Sequence, residues 1–280
     1  MHTVKVVLEE LMLRMDRIDA QVIMAHVLGV NRAWIAANPM RILSESEDAK
    51  IDMLAAQREM GEPVAYLLNV REFYGRDFMV NRSVLIPRPE TETLVEAALP
   101  RLAPRATCLD LGTGSGAIAV TLACQRPEAS VVATDTSAEA LGVARANAGR
   151  HHCEGRIEFL HGSWYAPLAG RHFDLVVSNP PYVAGKDPHL GQGDLRFEPV
   201  PALTDASPDG LDSIRAVVAG APAHLVAGGW LLFEHGYDQA PAARGLLEAA
   251  GFTDIVSLPD LAGIPRVAGG KMAGESRRTP

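Results

Sequence analysis

A short apolar run, a glycine-rich turn and an apolar helix-like stretch follow one another in this chain, and this order most constrains its fold. The run is residues 108–111, the turn is Gly112-Thr113-Gly114-Ser115-Gly116, and a helix is predicted from residue 117. Because glycine permits positive φ and close backbone approach, a nucleotide-like ligand can lie against such a turn and use the N–H groups at the helix start. The pattern indicates a strand of a doubly wound α/β sheet.

A second motif, Asn179-Pro180-Pro181-Tyr182, follows a strand-like run of residues 173–178. Open α/β sheets place their reactive groups where strands end. The Asn179 amide oxygen and the Pro180 carbonyl can accept both hydrogens of a planar NH2 group, while the Tyr182 ring packs against its flat π-system. The motif predicts a holder for an amide or exocyclic amine. The alternative is a rigid turn, since these dipeptides are ordinary loop signals.

The ligand of the glycine turn is indicated by a carboxylate farther along the chain. Residues 130–134 predict a strand that ends in Asp135. A carboxylate about 20 residues beyond such a turn is placed to accept hydrogen bonds from both ribose hydroxyls. The glycine string also matches the loose dinucleotide fingerprint, which alone is weak evidence. Asp110 at the end of the first strand, together with the amine-holding motif, favours S-adenosylmethionine over a nicotinamide.

Nearly the whole chain resembles the release factor glutamine methyltransferases of the HemK/PrmC type, which methylate the glutamine of the Gly-Gly-Gln motif in peptide-chain release factors. The most specific stretch is Leu85-Ile86-Pro87-Arg88-Pro89-Glu90-Thr91-Glu92, which differs from the equivalent stretch of ribosomal-protein glutamine methyltransferases. The other matching segments are the two motifs above, Gly61-Glu62-Pro63-Val64-Ala65-Tyr66-Leu67-Leu68, Arg71-Glu72-Phe73-Tyr74-Gly75, Asp194-Leu195-Arg196-Phe197-Glu198-Pro199, Gly228-Gly229-Trp230-Leu231-Leu232-Phe233-Glu234-His235-Gly236 and Asp260-Leu261-Ala262-Gly263-Ile264-Pro265-Arg266-Val267.

The resemblance implies a Rossmann-like α/β methyltransferase domain that uses S-adenosylmethionine, with a small N-terminal helical domain joined to it by a β-hairpin. It implies catalytic and substrate-binding roles for Asn179, Pro180, Pro181 and Tyr182. It also implies cofactor-binding roles for Asn179, the glycine turn of residues 112–116, Asp135 and Trp164. The expected activity is N5-methylation of a release-factor glutamine in translation termination.

Several further side chains have competing interpretations. Trp164 follows a predicted strand, and its indole is expected to cover the adenine face of the cofactor; without the resemblance it reads as a core residue. Arg88 and Glu90 are expected to order the substrate loop or the methionine end of the cofactor, and a structural salt bridge is an equal alternative. His151-His152 lacks metal-ligand spacing, so no metal site is expected.

Composition limits the partners and the compartment. The chain has 280 residues, is 48% hydrophobic and carries a formal charge of −8. Because nucleic-acid binding draws on clustered Lys and Arg, this acidic balance favours a protein substrate over direct nucleic-acid binding. Three cysteines without a CxxC pair indicate a reducing compartment, and no apolar run reaches bilayer length. We expect a cytoplasmic monomer with no membrane association.

Four regions are predicted along the chain. Residues 1–72 form a helical substrate-recognition domain, residues 73–88 a β-hairpin linker, residues 89–268 the catalytic domain, and residues 269–280 a flexible tail rich in Gly, Ser and charge. The alternative to substrate recognition is that the helical domain only stabilises the catalytic domain.

Two other methyltransferase activities use the same pocket chemistry. A ribosomal-protein glutamine methyltransferase is disfavoured only by the segment at residues 88–91. A DNA adenine N6-methyltransferase would act on a flipped base and needs a basic face, which this acidic chain lacks.

Overall fold

The computed structural model describes residues 2–274, which divide into two compact units. The first unit comprises the described residues up to Val70 together with Gln192–Phe197. The second comprises Arg71–Gly191 and the described residues from Glu198 onward. No helix within the described range is long and apolar enough to cross a membrane.

The first unit is built from five helices that pack around apolar side chains. Their N-termini are marked by capping residues: Thr3, Asp16, Asn31 and Ser44 each accept a hydrogen bond from a backbone N–H of the following turn, which satisfies a donor that the helix leaves free. The helices are α1 (Val4–Leu11), α2 (Arg17–Leu28), α3 (Arg32–Ala37), α4 (Glu45–Glu59) and α5 (Val64–Leu68). Their core contains the fully buried Ile23, Met24 and Ile51.

The segment Gln192–Phe197 belongs to this helical unit, although the sequence places it inside the predicted catalytic domain of residues 89–268. Arg58 explains the assignment, since its guanidinium donates to Asp19 at 2.6 Å and to Asp194 at 2.7 Å. Arg196 adds a hydrogen bond to the Met60 carbonyl at 2.8 Å. Side-chain pairing across more than 130 sequence positions leaves no local signal in the sequence.

A two-stranded hairpin follows, formed by β1 (Val70–Phe73) and β2 (Arg76–Met79). The hairpin begins before the first residue of the predicted linker, residues 73–88, and its second strand ends well before the last residue of that linker. Tyr74 and Gly75 both have positive φ, 53° and 70°, which is the backbone twist that tight hairpin turns require. Asn81, expected within the hairpin, instead caps the next turn by accepting from the Ser83 N–H at 2.9 Å.

The second unit contains a seven-stranded sheet with the order β5-β4-β3-β6-β7-β9-β8. The pairs from β5 through β7 are parallel, and β9 is antiparallel to both β7 and β8. The strands are β3 (Thr107–Leu111), β4 (Ser130–Asp135), β5 (Ile157–His161), β6 (Phe173–Ser178), β7 (Leu225–Glu234), β8 (Phe252–Pro259) and β9 (Pro265–Met272). The helices are α6 (Glu92–Ala98), α7 (Ala117–Gln125), α8 (Ala138–Arg150), α9 (Val200–Leu203), α10 (Asp212–Gly220) and α11 (Ala240–Ala249).

Apolar side chains cover both faces of this sheet. Cys108 and Leu175 belong to one buried cluster, whereas their chain neighbours Leu109 and Val176 belong to another. This alternation is the period of two expected of strands buried on both sides. The predicted doubly wound α/β fold is therefore confirmed.

The C-terminal tail predicted for residues 269–280 is wrong in its first part, because β9 extends to Met272 and pairs with β7 and β8. A Cβ on Gly269 would lie 2.5 Å from the Leu231 carbonyl oxygen, and one on Gly270 would lie 2.7 Å from the Phe252 Cβ. These glycines permit close strand packing, so their presence does not indicate mobility. Residues 275–280 lie outside the described range.

Candidate active site

Four parallel strands end at one edge of the sheet and bring the expected site residues together. β3 ends at the glycine turn, β4 at Asp135, β6 immediately before Asn179, and β5 shortly before Trp164. The strand order reverses between β3 and β6, which is where open α/β sheets bind their ligands. A cavity of about 530 Å³ lies at this point, within the usual range for small-molecule sites. Of the expected residues it is lined by Gly112, Thr113, Gly114, Ser115, Asp135, Trp164, Asn179 and Pro181.

The glycine turn contributes shape more than free donors. Gly112 and Thr113 both donate to the Thr134 carbonyl, at 2.9 and 3.0 Å, and Gly116 donates to the Thr113 carbonyl at 2.8 Å. These three donors belong to the turn itself, whereas the N–H groups expected to serve a ligand are those at the start of the following helix. Gly112, Gly114 and Gly116 all have positive φ, and a Cβ on Gly114 would meet nothing within 4 Å. The backbone at Gly114 is therefore open to close approach.

Asp135 holds the glycine turn against the end of β4. Its Oδ2 accepts from the Gly114 N–H at 2.9 Å, and its Oδ1 accepts from the Ser137 N–H at 2.8 Å. Each carboxylate oxygen has two lone pairs, so each retains capacity for one more donor. The carboxylate lines the cavity and is fixed in position, which suits it to a pair of ligand hydroxyls.

The Trp164 indole lies next to Gly112. A Cβ on Gly112 would come within 3.6 Å of a ring carbon of the indole. The Trp164 backbone has a positive φ of 45°, and its carbonyl accepts from the Thr134 hydroxyl at 3.2 Å. A positive φ is unusual for a large side chain and is found preferentially at binding sites. Trp164 also packs against the apolar cluster, so the two sequence-based interpretations of this residue are compatible.

The side chains of the Asn-Pro-Pro-Tyr motif have different surroundings. Asn179 lines the cavity, and its Nδ2 donates to the Thr91 hydroxyl at 3.1 Å. Pro181 also lines the cavity, whereas Pro180 is buried outside the lining. Tyr182 packs in the apolar cluster and donates its hydroxyl to Glu234 at 2.9 Å. Burial raises the pKa of the Tyr182 phenol, and the neighbouring Glu234 charge raises it further, so the hydroxyl is a donor.

Arg88 and Glu90 lie outside the cavity lining. Arg88 is paired with the fully buried Glu198, whose second oxygen accepts from the Ile86 N–H at 3.0 Å. The contact of Arg88 with Glu198 agrees with the second interpretation of Arg88, a structural salt bridge. This ion pair fixes the segment before Thr91, since a buried carboxylate needs both a counter-charge and hydrogen bonds.

Asp110 is a second carboxylate at the end of β3, and it is completely buried. Its Oδ2 accepts from the Thr113 hydroxyl at 2.7 Å, while its Oδ1 has no hydrogen-bond partner among residues 2–274. Burial raises the pKa of Asp110 to about 7, and the Thr113 hydrogen bond opposes this shift. A hydrogen bond from the Ala119 N–H, near the start of α7, opposes the shift as well.

Sequence reasoning missed the two residues that hold the motif. Thr91 stands in the Pro-Arg-Pro-Glu-Thr segment, and Glu234 ends β7, yet neither position carried a local signal of its contact with Asn179 or Tyr182. His235, beside Glu234, is buried with Nδ1 bonded to the Gly236 carbonyl, and burial lowers its pKa. No cluster of three or more His, Cys, Asp or Glu side chains able to hold a metal was found in the described part of the chain.

S-adenosylmethionine fits the donors and acceptors of this cavity. Asp135 offers two oxygens at a strand end, Trp164 offers an aromatic ring, and the turn at Gly114 leaves room for close approach.

Two family models match the chain in separate parts. The PrmC N-terminal domain matches residues 3–68, and the Methyltransferase small domain matches residues 90–193. Among solved structures, a methyltransferase from Pyrococcus furiosus is 18% identical with a TM-score of 0.55, covering 78% of this chain and 97% of that one. A T. thermophilus 16S rRNA methyltransferase in complex with AdoMet and guanosine is 22% identical with a TM-score of 0.53, covering 72% and 49%. At these identities the likeness shows the fold alone.

Curated relatives match over almost their entire length. A protein of Xylella fastidiosa named release factor glutamine methyltransferase is 49% identical over 93% of this chain and 95% of its own. Proteins of the same name from Neisseria gonorrhoeae and Bordetella pertussis are 50% and 51% identical, over 92% and 91% of this chain and 94% and 95% of theirs. The chain therefore belongs to the release factor glutamine methyltransferase family.

Proposed function

We propose that this protein transfers a methyl group from S-adenosylmethionine to the side-chain N5 of the glutamine in the Gly-Gly-Gln motif of peptide-chain release factors. One observation carries the proposal: Asn179, fixed by Thr91, lines the same cavity as the glycine turn and Asp135. An amide-holding group and a nucleoside-binding set thus share one space. Family membership supports the choice of a release factor as the substrate.

When bound, S-adenosylmethionine supplies a methyl group on an electrophilic sulfonium. Asp135 binds the ribose hydroxyls, Trp164 covers the adenine, and Gly114 lets the backbone approach closely. Asn179 lines the same cavity and would contribute to the binding of both the cofactor and the substrate.

The glutamine side chain is held by acceptors of the motif. The nitrogen of an amide is a poor nucleophile because its lone pair is delocalised into the carbonyl. With Nδ2 of Asn179 donating to Thr91, Oδ1 is the atom of that amide that accepts from the substrate NH2, and the Pro180 carbonyl accepts its second hydrogen. Both contacts orient the nitrogen and raise its electron density, and positioning of this kind supplies up to about 7–11 kcal/mol of barrier reduction.

The same acceptors act during methyl transfer. As the new C–N bond forms and the C–S bond breaks, positive charge develops on the nitrogen, and Asn179 Oδ1 and the Pro180 carbonyl stabilise it. The surplus proton leaves afterwards to water, and the other product is S-adenosylhomocysteine. Neither Arg88 nor Glu90 takes part in the cavity lining, so we assign them to ordering the substrate-binding segment that leads to Thr91.

The helical unit recognises the release factor in this proposal. It exposes large apolar side chains, with Leu13, Ile18 and Met60 exposed to 89%, 61% and 67%. These side chains offer apolar surface that a protein partner can cover. The match to the PrmC N-terminal domain supports the same role. We also propose that the protein acts as a monomer in the cytoplasm and does not contact nucleic acid.

Mass spectrometry tests the function directly. Purified unmethylated release factor is incubated with the protein and S-adenosylmethionine, and a fragment map locates any added 14-dalton group, about the mass of one CH2. A single methyl on the Gly-Gly-Gln glutamine, absent with Asn179→Ala, is the expected result. Methylation of ribosomal protein or of adenine in DNA, with none on release factor, would contradict the proposal.

A further inference from the structure

Gln239 lies immediately before α11 and contacts the backbone at the end of the Asn-Pro-Pro-Tyr motif. It is 8% exposed, and its Nε2 donates to the Tyr182 carbonyl at 3.0 Å. The same nitrogen donates to the Asp209 carbonyl at 3.0 Å. Its Oε1 accepts from the Gly236 N–H at 2.8 Å. One buried side chain therefore joins the motif to two turns that are distant from it in the sequence.

The orientation of the Gln239 amide follows from backbone groups alone. Gly236 offers an N–H, which can only donate, so it selects the oxygen end of the amide. Tyr182 and Asp209 offer carbonyls, which can only accept, so they select the NH2 end. The position thus requires one acceptor and two N–H donors on one side chain. Glutamine has this terminal group at the required reach, whereas asparagine carries it one carbon closer to the backbone.

The backbone at Tyr182 packs tightly against the turn that contains Gly210. Gly210 has a φ of 66°, and a Cβ there would overlap the Tyr182 carbonyl. The next N–H of the chain, that of Val183, donates to the Leu203 carbonyl at 3.0 Å. Both chain neighbours of Leu203 line the cavity. The backbone that follows the motif is therefore joined to a segment of the cavity lining as well as to the Gly210 turn.

Both ends of the motif are held, and two prolines lie between them. Asn179 is held by its Nδ2 bond to Thr91, and the Tyr182 carbonyl is held by Gln239. Each proline ring locks φ at about −65°, so few backbone torsions remain free between the two ends. The Pro180 carbonyl, the proposed second acceptor for the substrate NH2, belongs to this stretch. Its direction therefore depends on how the two ends are held.

We propose that Gln239 is a positioning residue: its NH2 end fixes the Tyr182 carbonyl and thereby sets the direction in which the Pro180 carbonyl meets the substrate amide. This inference rests on the proposed function. Gln239 lies outside the cavity lining, whereas Asp135 and Trp164 belong to it. Loss of the Gln239 NH2 group therefore lowers turnover and leaves cofactor binding intact.

Two substitutions of Gln239 separate this role from simple capping of α11. Gln239→Met keeps the length of the side chain and removes its hydrogen bonds. Gln239→Glu keeps the acceptor for the Gly236 N–H, and a carboxylate at a helix N-terminus is favourable, so a capping role predicts little change. The positioning role predicts a loss, because an ionised carboxylate repels the Tyr182 carbonyl and a protonated one has a single hydrogen where the amide has two. We expect kcat on release factor to fall about tenfold or more in both variants, the scale of one lost hydrogen bond.

The matched control is Thr107→Val. Thr107 begins β3, at the end of the strand away from the glycine turn, and its hydroxyl donates to Asp174 at 2.9 Å. This variant also loses a hydrogen bond and should keep kcat. The Kd for S-adenosylmethionine, measured by calorimetry, should stay close to the wild-type value in all three variants.

Three results would each overturn the positioning role. They are wild-type turnover in Gln239→Glu, an equal fall of kcat in Thr107→Val, and a loss of cofactor affinity that matches the loss of kcat. Melting temperatures show whether each variant is folded. If Gln239→Met does not fold, the comparison of Gln239→Glu with Thr107→Val decides the question, since Gln239→Glu keeps the contact with Gly236.

A measurement without substrate distinguishes failure of this inference from failure of the proposed function. Tyr182-Val183 is the only Tyr-Val pair in the sequence, so a sample with ¹³C in the tyrosine carbonyl and ¹⁵N in valine gives one HNCO signal. Its ¹³C shift reports the hydrogen bond at the Tyr182 carbonyl. We expect the shift to change in Gln239→Met and Gln239→Glu and to stay unchanged in Thr107→Val. An unchanged shift in both Gln239 variants would overturn the inference, whereas the expected shifts in a protein that does not methylate release factor would reject the proposed function alone.

Discussion

Asp135 and Gly114 are joined by a hydrogen bond of 2.9 Å from the backbone N–H to Oδ2, so the carboxylate at the end of β4 holds the glycine turn that follows β3. The same carboxylate accepts from the Ser137 N–H at the start of α8. One side chain therefore links the two strand ends that flank the cavity. Its remaining acceptor capacity faces the site.

Asp135→Ala is expected to weaken S-adenosylmethionine binding about tenfold or more, because hydrogen bonds to a charged acceptor are lost and the turn is released. Isothermal titration calorimetry measures the change. The control is Glu128→Ala, which removes an exposed carboxylate elsewhere in the same unit. An unchanged Kd in Asp135→Ala would exclude this residue from the cofactor site.

Asn179→Ala is expected to lower kcat about a hundredfold or more while changing cofactor affinity far less, since it removes an acceptor that acts on the reacting nitrogen. Initial rates of release-factor methylation, together with calorimetry, separate the two quantities. A variant with normal kcat and a large loss of cofactor affinity would assign Asn179 to the cofactor alone.

Asp110 is expected to make stability depend on pH. Its pKa is raised from 3.8 to about 7 in the folded protein by burial. Between these values the folded state holds a proton that the unfolded chain has released, so the free energy of unfolding falls as pH rises through this window. Asp110→Asn removes this pH-dependent decrease in the free energy of unfolding, which is at most about 4 kcal/mol at pH 7. Urea unfolding of both proteins from pH 4 to pH 8 measures it, and parallel curves would contradict the expectation.

Gly116→Ala is expected to destabilise the fold by about 2 kcal/mol or more. Gly116 has a φ of 81°, and a Cβ there would lie 3.1 Å from the Ala144 Cβ and 3.2 Å from its Cα. The matched control is Gly142→Ala in the same helix as Ala144, where a Cβ meets nothing within 4 Å and the helix gains about 0.5–1 kcal/mol. Thermal melting compares the two, and equal melting temperatures would refute the packing argument.

The sequence predicted those parts of the fold and site that depend on local pattern. The run before Gly112, the strand before Asp135 and the strand before Asn179 all have the apolar composition of buried parallel strands. Since parallel strands end at one edge, the side chains after them share a cavity. The family resemblance is also confirmed, because its motifs are spread over nearly the whole chain.

What the sequence could not predict are contacts between distant positions. Asn179 and Thr91 are 88 positions apart, and Tyr182 and Glu234 are 52 apart. The glycines near the C-terminus led to a wrong prediction. Gly269 and Gly270 suggested a flexible tail, but the absence of a side chain lets β9 pack closely against Leu231 and Phe252. The glycine motif also gave no indication that its backbone N–H groups donate to the Thr134 carbonyl.

The insertion of β9 between β7 and β8 gives the order of synthesis a consequence for folding. β8 leaves the ribosome before β9, and among residues 2–274 it pairs in the sheet with β9 alone. Until residues 265–272 have emerged, β7 and β8 each carry a row of open backbone donors and acceptors of the kind that pairs with other chains. In a nascent chain the edge of β7 that faces β9 therefore stays unpaired until this late strand arrives, and the same strand then pairs with β8.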